Sequence, residues 1–132
     1  MNKVYLTWQD IDDAVESLAY RIKNSDIKID VIVGLPRGGL IPAVILSHKL
    51  NIPYHSSNIP PHGNILVVDD ICDSGETLEK WKFEDNVYTV TIHHKQTASV
   101  EPTFWYSLVR DNAWIVYPWE REDSETIADY KK

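Results

Sequence analysis

Between Trp8 and Lys23 the apolar residues return at helical spacing. Ile11, Val15, Leu18, Ala19 and Ile22 share one face, predicting an amphipathic helix. Thr7, with Asp10 three residues on, resembles a capping box in which Asp replaces the preferred Glu. The apolar run Ile29 to Val33 predicts a strand, Gly34 to Gly39 a loop, and the largely apolar Leu40 to Leu50 a helix buried on most sides. Pro53, Pro60, Pro61 and Gly63 then punctuate an irregular stretch. Ile65 to Val68 predicts a strand buried on both faces. A helix is expected over Thr77 to Phe83. Val87 to Ile92 alternates as a strand that runs on to His94, with Lys95 after it, and Phe104 to Val109 predicts another. The acidic tail from Glu120 reads as exposed. Strands alternating with helices predict right-handed crossovers and an α/β fold, with a mainly parallel central sheet flanked by helices. Ligands of such sheets bind beyond the carboxyl ends of the strands, where both predicted loops fall.

The stretch Ile65 to Leu78 carries the most chemistry. Its strand leads to two adjacent carboxylates, Asp69 and Asp70, and then to a polar loop of small residues. Backbone N–H groups of such a loop can point at a phosphate. Ser74 and Thr77 add hydroxyls, and Gly75 lets the backbone approach closely or take positive φ. The acid pair suits hydroxyls or a hard cation such as Mg²⁺ rather than the phosphate itself. Glu76 sets a negative charge beside the expected phosphate and runs against that pattern. A second glycine-containing loop, Gly34-Leu35-Pro36-Arg37-Gly38-Gly39, follows the first buried strand. Arg37 can offer a charge-assisted fork to pyrophosphate. The loop lacks the Lys-Ser/Thr ending of a P-loop and the full dinucleotide fingerprint, which disfavours both.

The chain has 132 residues, 43% of them hydrophobic and 25% charged, and reads as one domain over residues 1–132. A net charge of −7 with scattered lysines and arginines argues against a nucleic-acid-coating or anionic-membrane protein. No apolar run approaches the roughly 20 residues of a membrane span, and Met1 to Asp10 lacks the apolar core of a signal peptide. The single cysteine, Cys72, excludes an internal disulfide and a cage of several cysteines, and reads as small filler in the loop. A cytoplasmic protein is expected. His93 and His94 are neighbours on a strand, face opposite ways and make a poor metal pair.

Val67, Val68, Asp69, Asp70, Asp73, Ser74, Gly75 and Thr77 together resemble the signature of the type I phosphoribosyltransferases: a hydrophobic strand, Asp-Asp, two variable residues, Asp-Thr-Gly and Thr. Ser74 replaces the usual Thr and keeps the hydroxyl. Arg37-Gly38-Gly39 is similar to the pyrophosphate loop of the purine members. Lys95 and the segment Trp114-Ile115-Val116-Tyr117-Pro118-Trp119-Glu120 are similar to the base pocket of xanthine–guanine and hypoxanthine–guanine members. The resemblance runs from Val4 to Glu120 and implies a Rossmann-like fold.

It also implies a Mg²⁺-dependent transfer of ribose 5-phosphate from phosphoribosyl pyrophosphate to a 6-oxopurine, in purine salvage, with release of pyrophosphate. Asp73 would be the general base. Asp69 and Asp70 would hold the ribose hydroxyls directly or through Mg²⁺. The 5′-phosphate loop would be Asp73, Ser74, Gly75, Glu76 and Thr77. Arg37 and Gly38 would take the pyrophosphate, and Lys95, Trp114 and Ile115 the base. For Trp114 the ligand reading competes with core packing, which is preferred for Trp81 and Trp105. A homo-oligomer, a dimer, is expected. One departure stands out: family members carry a long lid segment before the acid strand, and here only residues 53–64 fill that place. Two other readings are a non-catalytic module that binds phosphoribosyl pyrophosphate or a nucleotide, and a receiver-like domain. The receiver fold is disfavoured because its acid pair lies on the first strand.

Overall fold

A computed structural model describes residues 2–55, 62–81 and 84–120. The elements in chain order are β1 (Lys3–Tyr5), α1 (Trp8–Lys23), β2 (Val31–Gly34), α2 (Leu40–Leu50), β3 (Ile65–Cys72), α3 (Glu76–Glu79), β4 (Val87–Lys95), β5 (Phe104–Val109) and β6 (Trp114–Val116). Four of the strands form a parallel sheet in the order β2-β3-β4-β5. A single parallel bridge from Ile32 to Tyr54 extends it beyond β2. β1 and β6 pair in parallel as a separate ribbon, with Lys3 opposite Trp114 and Tyr5 opposite Val116.

Helix α1 starts where its cap dictates. Thr7 Oγ1 accepts from the Asp10 N–H at 3.1 Å, and the Asp10 carboxylate accepts from the Thr7 N–H at 2.8 Å. Its buried face, Ile11, Ala14, Val15, Leu18, Ala19 and Ile22, is the predicted one with Ala14 added. That face packs with Ile32, Leu66, Val68, Val90 and Ile92, and with Ala43 and Leu46 of α2. The alternate strand positions Val31, Val33, Ile65 and Val67 form a second cluster with Leu35, Trp81 and Val87. The central strands are therefore apolar on both faces, as a parallel sheet requires.

Three expectations change, and one link proves irregular. Helix α2 is less buried than its composition suggests: only Pro42, Ala43 and Leu46 are buried, and Val44 is 46% exposed. It lies on one sheet face beside α1, and its outer side has no cover among the described residues. Strand β3 does not stop at the acid pair but continues through Asp69, Asp70 and Ile71 to Cys72, because β4 keeps pairing with it as far as His94. Helix α3 is one turn long rather than running from Thr77, and the expected end at Phe83 lies outside the described residues. The link from β4 to β5, residues 96–103, carries no helix. It is fastened instead by reciprocal Thr89–Thr103 bonds of 3.0 Å and by the Ser99 N–H donating to the Ser74 carbonyl at 2.8 Å. Of the expected short lid, residues 56–61 lie outside the described residues, as does the acidic tail beyond Glu120.

Candidate active site

Strand β2 ends at Gly34, opposite Val68, so the last four residues of β3 project past it and pair only with β4. The chain leaves β2 over that projecting end. Leu35 N–H donates to the Val68 carbonyl at 2.9 Å, and Gly39 N–H closes the turn on Leu35 at 2.8 Å. The Pro36–Arg37 peptide is cis. Gly38 lies against the Asp70 carboxylate so closely that a Cβ there would sit 2.5 Å from Asp70 Cγ. Only glycine allows this approach, and it sets the Arg37-Gly38-Gly39 loop directly beside the acid pair.

Both acids are held by the backbone that follows them. Asp69 Oδ1 accepts from the Asp70 N–H at 2.9 Å, and Asp70 Oδ1 from the Ile71 N–H at 2.8 Å. Burial pushes the Asp70 carboxyl up to about 6. The Glu120 charge adds to that, while hydrogen bonding from Asp69 and the backbone opposes it. Among the described residues no group of three or more His, Cys, Asp or Glu side chains could cage a metal. Although neighbours on a strand, Asp69 and Asp70 keep their side chains in hydrogen-bond contact, and two such carboxylates fit the mode in which Mg²⁺ takes one or two protein oxygens and completes its shell with water and substrate phosphates.

After Cys72 the chain turns through Asp73, Ser74 and Gly75 into α3. Gly75 has φ +91°, and a Cβ there would stand 2.5 Å from Ser99 Oγ. Ser74 Oγ accepts from the Glu76 N–H at 3.2 Å, shaping the turn from inside. Ser99 backs the loop from the β4–β5 link and donates its hydroxyl to Glu79 at 3.1 Å. Lys95, the last residue of β4, reaches over so that Nζ is 3.2 Å from Asp73 Oδ1. Cys72 is buried, with its thiol pushed up to about 12 by burial and then by the Asp69 and Asp73 charges, so it stays a neutral filler.

The C-terminal segment meets the site differently from the expectation. Trp114 and Ile115 lie on strand β6, not on a loop, and Ile115 lines a cavity of about 420 Å³ between α1, β1, β6 and β5. That cavity does not take in the acid pair or the phosphate loop. The residue of this segment that bonds to β3 is Tyr117. Its hydroxyl donates to the Asp70 carbonyl at 3.1 Å and meets His93 Nδ1 at 2.8 Å. Its N–H donates to Glu120 Oε1 at 2.8 Å. Its ring stacks on Trp119 at 5.0 Å and 9°, and Trp119 in turn lies 6.0 Å from Trp8. His93 is held neutral by burial, down to about 4. His94 instead lies 5.7 Å from the Trp105 ring. Sequence reasoning quoted Tyr117 in the C-terminal motif without a role of its own and missed His93 and Ser99, because each acts through a tertiary pairing with no local signature. Glu120 stood in a quoted motif without a role.

The Gly38 loop, the acid pair, the Asp73–Thr77 loop and Lys95 thus converge at the carboxyl ends of β2, β3 and β4. Comparison with known proteins agrees. The phosphoribosyl transferase domain family matches residues 1–60. A xanthine-guanine phosphoribosyltransferase of Cereibacter sphaeroides is 28% identical, over 88% of this chain and 86% of that protein. A solved xanthine-guanine-hypoxanthine phosphoribosyltransferase of Helicobacter pylori superposes with a TM-score of 0.78 over 90% of this chain and 94% of its own, at 20% identity. A purine phosphoribosyltransferase structure from Pyrococcus horikoshii is 36% identical, with a TM-score of 0.76, over 92% of this chain and 96% of its own. With that identity spread over nearly the whole of both chains, this protein belongs to the phosphoribosyltransferase family.

Proposed function

We propose that the protein transfers the 5-phosphoribosyl group of phosphoribosyl pyrophosphate to a 6-oxopurine and releases pyrophosphate. The observation that carries this reading is the convergence at one sheet edge of Gly38 on the Asp70 carboxylate and Lys95 on Asp73. The relatives named as purine phosphoribosyltransferases support the same chemistry.

In this reading Gly38 and Arg37 bind the pyrophosphate, and Asp69 and Asp70 hold the ribose hydroxyls. The residues from Asp73 to Thr77 bind the 5′-phosphate. Glu76 keeps its backbone N–H occupied by Ser74, and its side chain is exposed, so its charge can turn to solvent. Mg²⁺ would be held by Asp69 and Asp70, where it would neutralise charge on the diphosphate. A purine nitrogen attacks the anomeric carbon as the bond to pyrophosphate breaks, and the imidazole proton passes to Asp73. On a 6-oxopurine the O6 and N7 positions are adjacent on one edge. An ammonium and a carboxylate 3.2 Å apart complement that edge, Lys95 donating to O6 and Asp73 accepting from N7–H. The pair is partly exposed, so opening it for the base costs little. We read the protein as a cytoplasmic enzyme of purine salvage that works as a homodimer. No described helix is long and apolar enough to cross a membrane.

The test is pyrophosphate release with guanine, xanthine, hypoxanthine, adenine, uracil and orotate, each with and without Mg²⁺. Release with a 6-oxopurine, lost on removing Mg²⁺, is expected. Binding of phosphoribosyl pyrophosphate with no release for any base would favour the non-catalytic module instead.

A further inference from the structure

We propose that Tyr117 is a positioning residue of the transfer reaction, through a directed relay from His93 to the backbone of Asp70. The proposal rests on the reading given under Proposed function and deepens it. A tyrosine hydroxyl has one proton to donate, and a backbone carbonyl can only accept. The Asp70 carbonyl, 3.1 Å away, therefore takes the Tyr117 proton. Toward His93, 2.8 Å away, the same oxygen must accept, so His93 carries its proton on Nδ1. The relay runs from His93 Nδ1–H to Tyr117 O–H to the Asp70 carbonyl. Its direction fixes a tautomer that distance alone would leave open.

Three features make this relay a device for placing Asp70 rather than mere core filling. Tyr117 is 2% exposed, so its hydroxyl has no water as an easy substitute, and His93, 7% exposed, borders the cavity of about 420 Å³. The Tyr117 ring cannot swing, because it stacks on Trp119 while its N–H is tied to Glu120. Asp70 lies on the part of β3 that has outrun β2, so this stretch lacks a strand on one side. The same residue presses its carboxylate against Gly38. A residue of the expected base-binding segment thereby holds the peptide whose carboxylate serves the ribose and pyrophosphate side.

Tyr117→Phe keeps the ring and its stack and removes only the relay. Kinetics should show kcat/KM for phosphoribosyl pyrophosphate falling about tenfold, the loss expected for a buried hydrogen bond, with KM for the base within about twofold. His93→Leu should reproduce the loss, and His93→Asn, which keeps an N–H near the Nδ1 position, should restore most of it. Nitrogen-15 NMR of the wild-type imidazole should report Nδ1 protonated and Nε2 bare, and this readout does not depend on turnover. Should the wild type transfer to no base, the functional reading fails by itself. The relay is then judged by the NMR tautomer and by calorimetric binding of phosphoribosyl pyrophosphate to wild type and Tyr117→Phe. A proton on Nε2 alone would overturn the proposal. So would a folded Tyr117→Phe protein with wild-type kinetics or, without turnover, wild-type binding. If Tyr117→Phe does not fold, the two His93 variants decide: equal behaviour of Leu and Asn overturns the relay.

Discussion

The Lys95 ammonium sits 3.2 Å from an Asp73 carboxylate oxygen, and in the proposed reading its donors tell an oxygen from an amino group on the purine edge. Adenine would bring a second donor toward that ammonium and leave it unpaired, at roughly ten- to a hundredfold in specificity. The ratio of kcat/KM for guanine or hypoxanthine over adenine should therefore be at least tenfold, and Lys95→Ala should collapse it toward unity. An unchanged ratio in the variant would mean that another group reads the base. A second prediction at this scale concerns two buried groups with opposite shifts. His93 titrates at about 4 against its ordinary 6.5, and Asp70 at about 6 against 3.8. As pH falls through this window, the unfolded chain takes up the His93 proton before the native state does, so that residue costs about 3 kcal/mol of stability. Asp70 does the reverse, taking up its proton in the native state first and returning about the same amount. The two nearly cancel in the wild type. Relative to wild type, Asp70→Asn should thus lose stability between pH 6.5 and pH 4, and His93→Asn should gain it. Urea denaturation of the three proteins, without divalent metal, measures the slopes. Parallel curves would mean that neither group is shifted.

Among the elements, the turn from Asp73 to Gly75 depends on support from outside itself. Gly75 holds φ +91° with Ser99 Oγ 2.5 Å from where a Cβ would be, and the Ser99 N–H ties the Ser74 carbonyl. Gly75→Ala meets both the left-handed backbone and the Ser99 loop, a cost of order 1–3 kcal/mol. Its melting temperature should fall, and calorimetric affinity for phosphoribosyl pyrophosphate should fall at least tenfold. Ser99→Ala keeps the backbone bond and should bind nearly as wild type. Such elements differ in how far the chain announces them. Helix α1 was legible because Thr7, Asp10 and the spaced apolar residues all act within a few residues of one another. The acid strand was legible as far as Val68, where its apolar run ends. Asp69 to Cys72 stay extended because β4 pairs with them, which no local pattern records. β1 and β6 are three residues each, and their partners are more than a hundred residues apart in sequence, so neither could be read in isolation. The composition of α2 overstated its burial, since an apolar helix lying on a four-stranded sheet still has an outer side.

For the molecule as a whole, the proposed reaction gives the segment joining α2 to β3 the task of keeping water out. Its ends are fastened on opposite sides of β2: on the outer side the Ile32 N–H donates to the Pro53 carbonyl at 2.9 Å, and the His55 N–H to the Ile32 carbonyl at 2.8 Å. At the other end the Asn64 N–H donates to Asp30 Oδ2 at 2.8 Å. Both anchors hold to Asp30 and Ile32, whereas the Gly38 loop and the acids lie past Gly34 at the other end of β2. In the proposed reading phosphoribosyl pyrophosphate meets its binding groups on the two loops and docks without a lid. The oxocarbenium-like state, by contrast, needs water excluded and groups closed around it. Binding is therefore expected at ordinary strength and transfer at a slow rate, with water competing for the anomeric carbon. Single-turnover experiments that separate nucleotide from ribose 5-phosphate measure both fates. Slow transfer with a measurable share of ribose 5-phosphate is the expected result. Fast transfer with no hydrolysis would show that the segment is dispensable, or that a neighbouring subunit supplies the cover. Repeating the measurement across a dilution series separates the two, since only a borrowed lid loses its effect as subunits come apart.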